Sequence, residues 1–180
     1  MEKKKVKKPR KITQSYLENS AVYYLERFSS SSANLRRVMT NKIIKSCYFY
    51  QDEDISEKKE WLEDVIKKLE RIGYLNDETY TNMKTRSLRY SGNSKRNIMG
   101  KLRQKGLSEE MIGLSLEKTD EDLFNGEDGE VETARHYMKK KRFGKFRTKP
   151  EEENTKQKEL ASLARAGFSY DICKQVLDEK

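Results

Sequence analysis

The chain has 180 residues, of which 34% are hydrophobic and 38% charged, with a mean hydropathy of −1.05. That is too polar for one thick core, yet too rich in Leu, Ile, Tyr and Met for a disordered chain, so an array of small units that each bury a thin apolar stripe fits best. Two prolines and nine glycines are too few for a sheet protein with many tight turns, and a net charge of +9 favours anionic partners: nucleic acid, an acidic protein groove or an anionic surface.

Residues 1–11 hold seven Lys or Arg and one Glu, which predicts a disordered basic tail, set at 1–12. The start has no apolar run after it and no segment approaches the length of a membrane span, so neither a signal peptide nor a membrane helix is expected. Cys47 and Cys173 lie far apart without CxxC spacing, which points to a reducing cytoplasm and no disulfide framework.

Tyr16, Leu17, Ala21, Tyr24, Leu25 and Phe28 recur at three- and four-residue spacing and predict an amphipathic helix. The serines at 29–32 end it and can cap a second helix carrying Leu35, Val38, Met39 and Ile43. A polar stretch at 51–56 follows. Then Trp61, Leu62, Val65, Ile66, Leu69 and Ile72 form the most regular helix, stopped by Gly73. Asn76 or Asp77 can cap a helix running to Tyr90, closed by the Ser91–Ser94 stretch. Ser94 starts another with Ile98, Met99 and Leu102, ending at Gly106, and Ser108 caps a third with Met111, Ile112 and Leu116. Residues 119–130 read as an acidic connection. A helix over 130–142, a charged linker over 144–153 and two helices over 154–166 and 170–178 complete the chain.

One helix ending recurs. Lys101-Leu102-Arg103-Gln104-Lys105-Gly106-Leu107-Ser108 aligns with Ser162-Leu163-Ala164-Arg165-Ala166-Gly167-Phe168-Ser169, 61 residues later. The leucine packs the end of one helix, the glycine permits positive φ at its stop, and the serine caps the next. Leu35 and Met39 suggest a first copy, degenerate because Ile43 stands where the glycine belongs. Chance coincidence of common caps would give a similar pattern. The expected fold is all-α, an elongated array of three tandem three-helix repeats over 13–75, 76–118 and 119–180, with no sheet.

At this point the sequence resembles the RecX family of regulatory proteins. The likeness is carried by KLRQKGLSEEMI and SLARAGFSYDIC, by VIKKLERIGYLNDETYTNMKTRSLRY (65–90) and by ENSAVYYLERFSSSSANLRRVM (18–39), and spans roughly residues 15–180. The resemblance implies an array of three-helix repeats lying along the filament of the RecA recombinase, restraining its ATPase, strand exchange and extension, without catalytic residues. It departs from the pattern at Ile43, in an insertion around 46–56 and in the connection at 119–130.

Binding candidates are the basic residues of the central unit: Lys84, Arg86, Arg89, Lys95, Arg96, Lys101, Arg103 and Lys105, in a 22-residue run (84–105) without an acid. Such a run is often a merely solvated face. The absence of any carboxylate favours contact with DNA phosphates or an acidic filament groove. A secondary cluster comprises Lys139, Lys140, Lys141, Arg142, Lys145, Arg147 and Lys149. Tyr137, Phe143 and Phe146 lie among them, as base-stacking residues or as corner residues of the core.

His136 is the only histidine and reads as a surface or boundary residue. No metal-ligand spacing, phosphate-cradling glycine loop or nucleophile elbow is present, and pairs such as Glu109-Glu110 sit at helix starts, where the dipole explains them. The reading is a monomeric, cytoplasmic binding protein with no cofactor and no metal. Its expected partners are a RecA filament and single- or double-stranded DNA. A stand-alone nucleic-acid-binding module and a structural adaptor are the competing classes.

Overall fold

The computed structural model describes residues 8–51, 54–125, 127–148, 150 and 152–179. Among these, nine α-helices and one 3-10 turn account for the regular structure, with no strand. The chain divides into two compact units, one ending at Asp77 and one beginning at Glu78.

The first unit holds α1 (Gln14–Arg27), α2 (Ser32–Tyr50) and α3 (Ile55–Arg71). The serine run works by hydrogen bonding: Ser31 accepts from the Asn34 N–H at 3.2 Å, and the Asn34 amide donates back to Ser30 Oγ at 2.7 Å. Leu17, Leu35, Ile43, Leu62, Ile66 and Leu69 fill the core and are almost wholly buried. At the rim the Arg36 guanidinium forks onto Glu63 at 2.7 and 2.9 Å, which holds the Glu63 carboxyl below its ordinary range.

Three expectations change here. Ile12, assigned to the disordered tail, is 3% exposed and belongs to the core; Ser46 Oγ and Tyr50 Oη donate to the carbonyls of Arg10 and Pro9, seating residues 9–12 against α2. A single apolar residue inside a basic run is easily overlooked, because charge dominates the composition of the segment. At Ile43, where a turn belongs by analogy with the later copies, α2 continues to Tyr50 and stops only at Gln51, which takes a left-handed φ of 52°. With no glycine to break it, a fully buried isoleucine extends the helix through much of the apparent insertion. And α3 begins at Ile55, inside the predicted polar stretch, capped by Asp54 accepting from the Glu57 N–H at 3.2 Å.

The second unit contains α4 (Asp77–Tyr90, its first residue at the boundary), α5 (Lys95–Arg103), α6 (Glu109–Phe124), α7 (Gly129–Lys141), a 3-10 turn (Gly144–Phe146), α8 (Thr155–Arg165) and α9 (Tyr170–Asp178). Two small cores lie within it. Tyr80, Ile98, Leu102, Leu107, Ile112 and Leu116 pack α4–α6, and Val131, Ala134, Met138, Leu163, Phe168, Cys173 and Val176 pack α7–α9. Each successive triplet of helices thus has its own apolar cluster. The boundary expected at 118/119 falls inside α6, and the acidic connection is helical as far as Phe124; four polar residues in six had masked its periodicity.

The repeated ending is real geometry. Leu107 and Phe168 return their N–H groups to the carbonyls of Leu102 and Leu163 at 3.3 Å, while Gly106 and Gly167 bond to Arg103 and Ala164 at 2.8 and 2.9 Å. The two glycines sit at φ +78° and +95°, as this double-bonded stop requires. Both apolar corner residues are 5% exposed, and Ser108 and Ser169 cap α6 and α9. The free thiols Cys47 and Cys173 are buried in the first and last of the three clusters.

Candidate filament and nucleic-acid interface

Arg89 stands apart from its neighbours. It leaves the last turn of α4 at 2% exposure, with no surface to offer a partner. Nε and Nη2 fork onto Asp120 Oδ1 and Oδ2 at 2.8 and 2.7 Å. Nη1 donates to Glu130 Oε1 at 2.9 Å and to the Asn93 carbonyl at 3.3 Å. The Glu130 carboxylate also accepts from the Lys95 N–H at 2.5 Å, and the Lys95 ammonium lies 3.2 Å from Asp120. Two carboxylates against one guanidinium and one ammonium make a neutral hub tying α4, α5, α6 and α7 together. The assignment of Arg89 as a binding residue is therefore corrected: a buried charge needs partners, and this one has them.

The remaining central candidates divide by what faces them. Arg86 reaches Asp122 at 3.3 Å and Arg103 reaches Glu109 at 2.9 Å, both in solvent-exposed pairs. Lys101 donates to Asn93 Oδ1 at 2.7 Å, and the half-buried Lys84 lies 5.9 Å from the centre of the Tyr80 ring. Lys105 is half-buried and Arg96 exposed. Among the described residues, Lys84, Arg96 and Lys101 have no carboxylate partner. The acid-free run of sequence is thus partly answered in space, because Glu109, Asp120, Asp122 and Glu130 fold back onto it from α6 and α7.

The secondary cluster splits the same way. Lys139, Lys140 and Lys141 fill the exposed last turn of α7, and Arg142 follows at a left-handed φ of 59°. Lys145 pairs with Glu179 at 3.1 Å, and Arg147 forks onto the buried Glu159 at 3.1 and 2.9 Å. Arg135 also grips Glu179; that bond first, and Lys145 second, keeps the Glu179 carboxyl below its ordinary range. Lys149 lies outside the described residues. Tyr137, Phe143 and Phe146 pack against the α7–α9 core, Tyr137 meeting Phe143 and Phe168 edge-on, so they are corner residues. His136 is exposed, and no trio of metal-binding side chains gathers among the described residues. No helix among them is long and apolar enough to cross a membrane.

Sequence reasoning missed Asp120 and Glu130 as partners of Arg89, because they lie 31 and 41 residues away. The available signal was composition: a cation-only run followed by an acid-rich segment invites pairing in space.

No family model matches the chain. The regulatory protein RecX of Myxococcus xanthus (strain DK1622) is 42% identical over 174 residues, which cover 96% of this chain and 89% of that protein. The regulatory protein RecX of Agrobacterium fabrum (strain C58 / ATCC 33970) is 28% identical over 163 residues, covering 91% and 82%. A crystal structure of a regulatory protein RecX shares the fold, with a TM-score of 0.63 at 22% identity over 92% of this chain and 72% of that one.

Proposed function

The chain belongs to the RecX family of regulatory proteins, and we propose that it acts as a cytoplasmic monomer that binds a RecA–DNA filament and inhibits its ATPase, strand exchange and extension. The observation that carries this reading is the 42% identity to a regulatory protein RecX across nearly the whole chain. The all-helical build and net charge of +9 support it, since a filament of recombinase on DNA is a polyanion with a grooved surface. The protein works by binding rather than by catalysis. In this reading Lys84, Arg96 and Lys101 supply most of the electrostatic attraction, with Lys105 beside them. Arg86, Lys95 and Arg103 contribute less, because each already faces a carboxylate. Arg89 contributes only by holding the helices that present the others.

The test is recombinase ATPase on single-stranded DNA with substoichiometric amounts of the protein. Inhibition well below one molecule per recombinase is expected, and charge reversal at Lys84, Arg96 and Lys101 together should weaken it while leaving helicity intact. Inhibition only when the protein coats the DNA favours a stand-alone nucleic-acid-binding module, to which the basic helices also point. Unchanged inhibition by the reversed variant at moderate salt removes these residues from the interface.

A further inference from the structure

Within the second unit, the turn between α4 and α5 meets the C-terminal ends of α7 and α8 around a cleft of about 340 Å³. Asn93, Asn97, Lys140, Lys141, Ser162 and Arg165 line it, and no carboxylate does. Close packing builds it: a Cβ on Gly167 would lie 2.4 Å from Ser94 Oγ, so only glycine lets the α8–α9 corner approach the start of α5 this closely.

Cations in the last turn of a helix ordinarily answer the partial negative charge of its carbonyls. Here five of the eight last-turn carbonyls of α7 and α8 already accept backbone hydrogen bonds. At the end of α7, Phe143 and Arg142 N–H groups bond to Met138 and Lys139; at the end of α8, Ala166, Gly167 and Phe168 bond to Ser162, Ala164 and Leu163. The carbonyl of Ala166 accepts from Ser94 Oγ at 2.7 Å. Lys140, Lys141 and Arg165 are left without an ion-pair partner among the described residues, whereas Lys145 and Arg147 nearby each hold a carboxylate. A fourth cation, Lys101, bonds to Asn93 at the rim.

We propose that this cleft is a phosphate-binding site that takes the phosphodiester backbone of nucleic acid. Three cations from two helices, none paired with a carboxylate among the described residues, line one cavity together with the Asn97 side-chain amide. Such a set suits a phosphate oxygen and carries no means of reading a base. The backbone of a strand would run over the cleft, its charge answered by Lys140, Lys141 and Arg165. The proposal rests on the reading of the protein as one that works at a DNA-bearing filament. Its test uses naked DNA without recombinase, so the two can fail separately.

The experiment measures fluorescence anisotropy of a labelled oligothymidylate over a salt series, with the full chain and with a variant carrying Lys140→Gln, Lys141→Gln and Arg165→Gln. A control carries the same charge loss at the exposed Lys118, Lys158 and Lys174. Circular dichroism establishes that both variants fold. The cleft variant should lose affinity and flatten the plot of log K against log salt by about 0.7 for each phosphate contact removed. The control should keep the parental slope, and replacing Arg165→Gln by Arg165→Lys in the cleft variant should recover part of the loss. Equal losses in both variants would overturn the proposal, reducing the effect to net charge. Stronger competition from ATP or inorganic phosphate than from unlabelled oligonucleotide would overturn it too, since the site would then serve a small phosphate.

Discussion

Ile43 and Arg89 invite comparison: each is a large, fully buried side chain on a helix of its unit, Ile43 within α2 and Arg89 in the last turn of α4. Ile43 belongs to an apolar cluster drawn largely from α1, α2 and α3, and the Arg36–Glu63 pair stays at the rim. Around Arg89 there are two carboxylates and a carbonyl, and the hydrocarbon is divided between two smaller clusters. The difference teaches where each unit is vulnerable. A missing methyl group costs packing and nothing more, whereas a missing guanidinium leaves two acids facing one another with only Lys95 between them.

That contrast can be broken most forcefully at Arg89. Arg89→Ala should destabilise the second unit by about 3–5 kcal/mol, the usual cost of stranding one side of a buried pair. In denaturant unfolding monitored by circular dichroism, loss of helix in two steps, with part retained by the first unit, is the expected result; an unchanged midpoint would show that the hub carries no stability. Ile43→Val should cost about 1 kcal/mol and shift the same curve without altering its pH dependence.

The smallest effect belongs to Arg36→Ala, under about 1 kcal/mol, because that pair is roughly half exposed and screened by salt. Its signature is pH. The folded Glu63 carboxyl is held below its unfolded range by Arg36, so its contribution is complete above the unfolded value of about 4.3 and lost as pH falls through the lower folded one. Removing Arg36 should flatten that acid limb by lowering stability at neutral pH by that small amount while leaving it unchanged in acid, below the folded value; an unaltered limb in acid titration of the variant would rule the pair out.

What the sequence reveals follows the range of the interactions. The Gly106 and Gly167 endings and the serine caps at 31, 94, 108 and 169 are legible because the hydrogen bonds that close each helix end span six residues or fewer. The helical build follows from the same local rules. Arg89 is not legible as a core residue, since type and neighbours both suggest a surface and its partners come from two later helices. Ile12 fails for the opposite reason: one apolar residue carries no periodicity. Charge alone picks out the binding candidates in the sequence, but which of them lack a carboxylate partner depends on where Asp120, Asp122, Glu159 and Glu179 fold back.

The two cysteines have a further use. Cys47 sits in the first unit at 2% exposure and Cys173 in the second at 0%, and burial pushes the Cys173 thiol above its ordinary range. A thiol reagent meets neither in the closed molecule, because only an exposed thiolate reacts. Each unit therefore carries its own clock for opening. The rate at which each sulfur is labelled reports how often its own helices part, so docking on a filament would be heard as the slowing of one clock, the other, or both.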